Sequence, residues 1–189
     1  KKQENLISAF YYYNRLYNKK SRLILAGSFR YDDPYYIRLT EYTKKLGMGG
    51  TVIFTGHIKF DQILAYYKTA DVFLCMSEHE GFCVPIVEAM KFKVPIIAYG
   101  RAAVPETMNH KGMILDDNNP QYVAACIDKM VKDKKGAELQ LNVPGGFKSD
   151  LVKKYLIHGV PRIVIVDEEG KIVDAMFKEY LSKFIDKKD

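Results

Sequence analysis

Along the first 135 residues, apolar and polar positions follow two alternating rhythms. Short, nearly continuous apolar runs read as strands: RLILAG (22–27), TVIFTG (51–56), DVFLCMS (71–77), VPIIAY (94–99) and GMILDD (112–117). Such runs are expected where both faces of a parallel sheet are covered. Longer amphipathic stretches between them predict helices over Pro34 to Leu46, Asp61 to Thr69, Pro85 to Phe92 and Asn119 to Lys134. In the first helix, Tyr35, Ile37, Leu39 and Tyr42 are expected to supply most apolar contacts, and Gly47 and Gly49 to stop it. In the last, Asn119 is a plausible cap ahead of Pro120, and Tyr122, Val123, Cys126, Ile127 and Met130 form one stripe. The opening KKQENLISAF already reads as helix interior, which suggests a piece of a larger protein. Its stripe of Leu6, Ile7, Phe10, Tyr13 and Tyr17 is expected in the core, flanked by solvated Arg15, Lys19, Lys20 and Arg22. Strand–helix alternation at this spacing predicts an α/β fold with a doubly wound, Rossmann-like parallel sheet, in which ligands sit at the carboxyl ends of the strands.

After Lys135 the pattern changes. AELQLNVPGG (137–146) is strand-like and ends in a Pro-Gly-Gly turn, Phe147 to Ile157 is helical, and RIVIVDEEGKIVDAM (162–176) reads as a hairpin with antiparallel pairing. The predicted organisation is therefore a unit over 1–135 and a second, small unit or cap over 136–189.

Composition narrows the function. Apolar residues make up 48% and charged residues 28% of the 189, which excludes a disordered or collagen-like chain. No run reaches the roughly 18–20 apolar residues of a membrane span. Cys75, Cys83 and Cys126 form no metal-ligand or C-x-x-C spacing, and three unframed thiols fit a reducing, cytoplasmic setting. Nine basic and nine acidic residues lie from Gly136 onward, so the first unit carries the whole net charge of +6. That charge suits a phosphate-bearing ligand, or association with an anionic membrane surface at the inner face of a membrane. Nucleic acid is not expected, because no zinc-finger spacing, RNP-type motif or long basic block occurs. The plain alternative is solvated lysines on helix faces.

The most informative stretch is SEHEGFCVPIVEAMKFKVPIIAY (77–99). Pro85 suits a first helical turn, which leaves Glu80, Gly81 and Phe82 in the loop ahead of the helix and Glu88 inside it. A helix start presents unpaired N–H groups and a positive dipole end, a seat for a diphosphate, and Gly81 allows close approach to the backbone. Two carboxylates there would repel phosphate; they make sense as acceptors for ribose or hexose hydroxyls. The combination points to a nucleotide sugar.

Glu80 and Glu88 are eight apart, and E-x(7)-E with G-F after the first Glu and E-A-M at the second resembles the donor-site signature of family 4 retaining glycosyltransferases. KKQENLISAF, TGHI (55–58), YYKTADVFL (66–74) and AVPET (103–107) resemble other segments of that family in the same order, so that the likeness covers about residues 1 to 132. The resemblance implies the GT-B architecture of two Rossmann-like domains, this chain holding the C-terminal, donor-binding one; the N-terminal acceptor domain is missing. It implies Glu80 on the hydroxyls of the donor sugar and Glu88 on the nucleotide ribose. The backbone around Gly81, Phe82 and Cys83 would meet the phosphates or sugar. Lys1 falls where the family places a lysine against the leaving diphosphate, although the family's partner arginine is absent here. Gly27 and Ser28, after the first strand, and Gly56 and His57, after the second, are candidate walls of the nucleotide pocket. The resemblance further implies a UDP-, GDP- or ADP-sugar as donor and transfer with retention to a glycan or lipid-linked acceptor. It implies that no cofactor or metal is required, positive charge and helix dipole stabilising the leaving group, and the lack of an obvious D-x-D motif agrees. Without the acceptor domain, little or no turnover is expected. Residues 136–189 resemble the C-terminal half of a thioredoxin-like domain lacking its redox C-x-x-C, with Pro161 at the cis-proline position.

Each residue has a plainer reading. Glu88 is then an exposed residue of an amphipathic helix, Glu80 a helix cap, His57 a loop residue, Glu106 part of a short helix at Pro105, and Cys75 and Cys83 small packing groups. The competing functions are a structural or fusion module that binds no donor, and a GT-B-like sugar-nucleotide epimerase.

Overall fold

In the computed structural model, residues 1–133 and 162–166 are described. The elements run α1 (Gln3–Leu16), β1 (Arg22–Ala26), α2 (Pro34–Lys45), β2 (Val52–Gly56), α3 (Phe60–Thr69), β3 (Ala70–Cys75), α4 (Val84–Lys91), β4 (Ile96–Tyr99), α5 (Val104–Thr107), β5 (Met113–Leu115), α6 (Pro120–Asp133) and β6 (Arg162–Val166). The predicted strands and helices of the first unit are present within about two residues. Local signals explain the boundaries. Asp33 accepts from Tyr35 N–H at 2.7 Å to cap α2, and Asn119 accepts from Gln121 N–H at 3.0 Å ahead of Pro120. Gly47, at φ +68°, ends α2 in the left-handed region that a side chain would resist.

Strand alternation builds two cores. Leu23, Leu25, Val72, Leu74, Ile97 and Tyr99 turn to the face covered by α1, α2 and α6. Ile24, Phe73, Cys75, Ile96 and Ala98 turn to the face of α3 and α4. Burial on both sides is why these strands read as unbroken apolar runs. Leu6, Ile7 and Phe10 of α1 are fully buried as expected, but three stripe positions need correction. Tyr17 and Tyr122 are 43% exposed and Ile37 42%: Tyr17 follows the last residue of α1, and Ile37 and Tyr122 lie about half a turn round their helices from buried Leu39 and Ala124. Ala124, fully buried, lies on the inward face of α6 instead. No helix of the described residues is long and apolar enough to cross a membrane.

The sheet order is β2-β1-β6-β3-β4-β5. β1–β2, β3–β4 and β4–β5 pair in parallel, as predicted. The strand from 162–166, expected in a hairpin of the second unit, lies inside this sheet. It pairs antiparallel with β1 (Ile24 opposite Val164) and with β3 (Phe73 opposite Val164). Its antiparallel sense matches the expectation, and its place at the sheet centre does not. Pro161 and the remainder of 136–189, including the thioredoxin-like pattern, lie outside the described residues.

Candidate functional site

The connection from β3 to α4 leaves the carboxyl end of β3. Cys83, the residue before α4, has φ +53°, the left-handed region, and makes no side-chain cap. For a residue with a Cβ this conformation costs of the order of 1–3 kcal/mol and clusters at ligand clamps. Pro85 occupies the first turn of α4, and Ile86 N–H donates to the Cys83 carbonyl at 2.9 Å. Glu80 is therefore not the cap. Its side chain, 9% exposed, is ion-paired with the Lys1 ammonium. The loop is strapped from the β4–α5 side: Ala103 N–H donates to the Glu80 carbonyl at 3.3 Å, and Thr107 Oγ1 donates to the Phe82 carbonyl at 2.8 Å. A Cβ added at Gly81 would meet nothing within 4 Å, so the protein's own packing does not require glycine there.

Lys1 leads into α1, whose start is fixed by α2. The Tyr35 hydroxyl lies 2.6 Å from Gln3 Oε1 and 2.8 Å from Glu4 Oε2 and accepts Gln3 N–H at 3.2 Å. Arg38 reaches Glu4 at 3.0 Å. Burial, and next the Glu4 carboxylate, push the Tyr35 phenol up to about 12. Burial works to raise the Glu4 carboxyl, but its hydrogen bonds and the Arg38 charge outweigh that and hold it below its ordinary value.

On the neighbouring strands, Gly27 and Gly56 form a bridge, and Ser28 Oγ lies 3.2 Å from Nδ1 of the exposed His57. Gly56, at φ +67°, faces the Phe29 ring, which a Cβ would meet at 3.6 Å. Phe29 stacks on Tyr36 with centroids 3.9 Å apart. A cavity of about 310 Å³ is lined by Lys1, Gly27, Ser28, Phe29, Tyr35 and Tyr36, among others.

Glu88 is not an exposed residue. It is 6% exposed and accepts from the Tyr67 hydroxyl of α3 at 2.9 Å. It lies four residues into α4, about 6 Å down the axis from Val84. Cys75 and Cys83 are buried thiols with Sγ atoms 3.7 Å apart. Their mutual hydrogen bond, then burial, pushes the Cys83 thiol up; the same bond outweighs burial and draws Cys75 down.

The structure thus joins Lys1, Glu80 and the Gly81–Phe82–Cys83 backbone in one place. It links Lys1 to Gly27 and Ser28 through the cavity, and Ser28 to His57. Glu88 sits apart, in the layer between α3 and α4. Sequence reasoning counted Tyr35 only among apolar contacts and gave Tyr67, Ala103 and Thr107 no individual role, since each acts through a contact distant along the chain. Glu106 is exposed on the short α5, beside the residue that makes the strap.

The family model described as Glycosyl transferases group 1 matches residues 1–142. The O-antigen chain mannosyltransferase B of Escherichia coli is 27% identical over 117 residues, 62% of this chain and 30% of that protein. The fold matches that of the pneumococcal O-GlcNAc transferase GtfA, solved with UDP and GlcNAc (TM-score 0.60, 16% identity, 98% of this chain, 33% of that chain). It also matches the C-terminal domain of a glycosyl transferase group 1 family protein from Francisella tularensis (TM-score 0.57, 24% identity, 81% of this chain, 78% of that chain). The chain spans about a third of the length of the curated relatives it matches.

Proposed function

Since the chain belongs to the group 1 glycosyl transferases, we propose that its first 135 residues are the nucleotide-sugar-binding unit of a family 4 retaining enzyme of two-domain GT-B architecture. The observation that carries this reading is the convergence of Lys1, Glu80 and the Gly81–Cys83 backbone at the start of α4. The α4 dipole and the Lys1 ammonium offset the charge that grows on the diphosphate as the bond to the sugar's anomeric carbon breaks. The bonding electrons leave with the diphosphate, and an acceptor hydroxyl forms the new bond on the same face as its proton passes to the departing diphosphate oxygen. Glu80 accepts from the sugar hydroxyls, and Glu88 from the ribose. Gly27, Ser28, Gly56 and His57 wall the nucleotide. Gly81 leaves space in which a ligand approaches the loop backbone. The UDP held by the pneumococcal enzyme supports a nucleoside diphosphate donor; UDP, GDP and ADP remain the candidates. No metal enters this reading.

The acceptor, glycan or lipid-linked, belongs to the partner domain. A cytoplasmic setting suits the two buried thiols of Cys75 and Cys83, whose Sγ atoms lie 3.7 Å apart without a bridge, and the positive charge of the first unit suits the inner face of a membrane.

Ligand-detected NMR of UDP, GDP and ADP with the 189-residue chain tests the reading. One nucleotide is expected to bind more tightly than the other two. Absence of binding at millimolar nucleotide would replace the donor site with a purely structural module.

A further inference from the structure

Burial changes what Glu88 needs. A carboxylate removed from water must be met by donors, and the structure supplies one from another helix: the Tyr67 hydroxyl at 2.9 Å from Oε2. Tyr67 is itself 1% exposed. Its ring lies parallel to Phe92, at 4° with centroids 5.8 Å apart, and tilted against Phe73 at 6.0 Å. Packing on both sides therefore sets where the hydroxyl points. The same hydroxyl lies 3.3 Å from the Pro85 carbonyl in the first turn of α4. One atom of α3 thus touches both the start of α4, where the diphosphate is proposed to sit, and the carboxylate one turn below it.

We infer that Tyr67 is a positioning residue for donor recognition: it fixes the plane of the Glu88 carboxylate so that the carboxylate meets the ribose hydroxyls of the nucleotide without reorganising. This rests on the assignment of Glu88 to the ribose made above. A side chain held in its binding rotamer before the ligand arrives lowers the ordering cost of binding, and the benefit is confined to the ligand group that the side chain reads. Tyr67 therefore acts on ribose selectivity, not on affinity at large.

The test compares whichever of UDP, GDP and ADP the unmodified chain binds most tightly with its 2′-deoxy form by titration calorimetry, in the unmodified chain and in Tyr67→Phe, Glu88→Gln and the double variant. Each preference is a ratio taken on one sample, so a partly unfolded fraction cancels. The unmodified chain is expected to favour the ribonucleotide by roughly tenfold or more, the scale of a hydrogen bond to a charged group. Glu88→Gln should reduce that preference to about threefold or less. Tyr67→Phe should reduce it to a similar level while leaving affinity for the 2′-deoxy nucleotide within about twofold, and the double variant should match Glu88→Gln alone. A Tyr67→Phe chain that keeps the full preference, or that loses affinity for both nucleotides equally, overturns the inference and leaves Tyr67 a packing residue. An unmodified chain with no preference or no binding, or a Glu88→Gln chain that retains the full preference, overturns the Glu88 assignment itself, and the role of Tyr67 with it.

Discussion

Glu88→Ala is expected to weaken binding of the preferred nucleoside diphosphate by roughly 10- to 150-fold, the equivalent of about 1.5–3 kcal/mol for hydrogen bonds to a charged group. The size follows from burial. Glu88 is 6% exposed, so its bonds to a ligand compete with little solvent. The exchange also strips the Tyr67 hydroxyl of its carboxylate partner. Glu41→Ala, a carboxylate removed from the exposed face of α2, is the control and should leave affinity within about twofold. Titration calorimetry reads both. A loss below threefold in Glu88→Ala would mean that the carboxylate is structural and that the ribose is read elsewhere.

The second large effect is on stability. Leu74→Ala in β3 should lower the unfolding free energy by about 2–5 kcal/mol, the range for truncating a buried leucine in a core that collapses only in part. Leu74 is fully buried between the sheet and the α1, α2 and α6 layer. Its neighbours Phe73 and Cys75 face the opposite core, so backbone adjustment in one layer is resisted by the other. Leu16→Ala, where the side chain is 64% exposed, should change stability by no more than about 0.5 kcal/mol. Chemical denaturation of the two variants checks the contrast. Equal losses would show that the two-layer core is wrongly placed.

The parts of the fold legible in the sequence are those governed by local rules. RLILAG and DVFLCMS announced strands buried on both faces because period-two alternation is silent when both sides are apolar. Pro34, Pro85 and Pro120 marked helix starts, and Gly47 a helix end. The placement of Glu80 in a loop and Glu88 inside α4 followed from Pro85 alone. Stripe membership was less legible where an apolar residue faces solvent: Ile37 and Tyr122 are apolar, yet each lies about half a turn from its helix's deepest position.

What could not be read is non-local. RIVIV has the composition of a strand, but nothing in it names β1 and β3 as its neighbours, or an antiparallel sense between two parallel ones. The Lys1–Glu80 ion pair joins residues 79 apart. The Thr107 hydroxyl on the Phe82 carbonyl depends on how α5 packs. The left-handed Cys83 carried no signal, since a cysteine is not a residue expected at positive φ. The sequence placed both glutamates near one helix start, and tertiary packing then separated their surroundings, one at the rim with Lys1 and one between α3 and α4.

The most direct measurement of the proposed site is amide chemical-shift mapping of the ¹⁵N-labelled chain during titration with UDP and with GDP. The expected result is that the largest shifts fall on Gly81, Phe82, Cys83, Val84 and Ile86, with Gly27, Ser28 and His57 next. Shifts confined to α6 or β6, with the amides from Gly81 to Val84 unmoved by saturating nucleotide, would contradict a diphosphate seat at the start of α4.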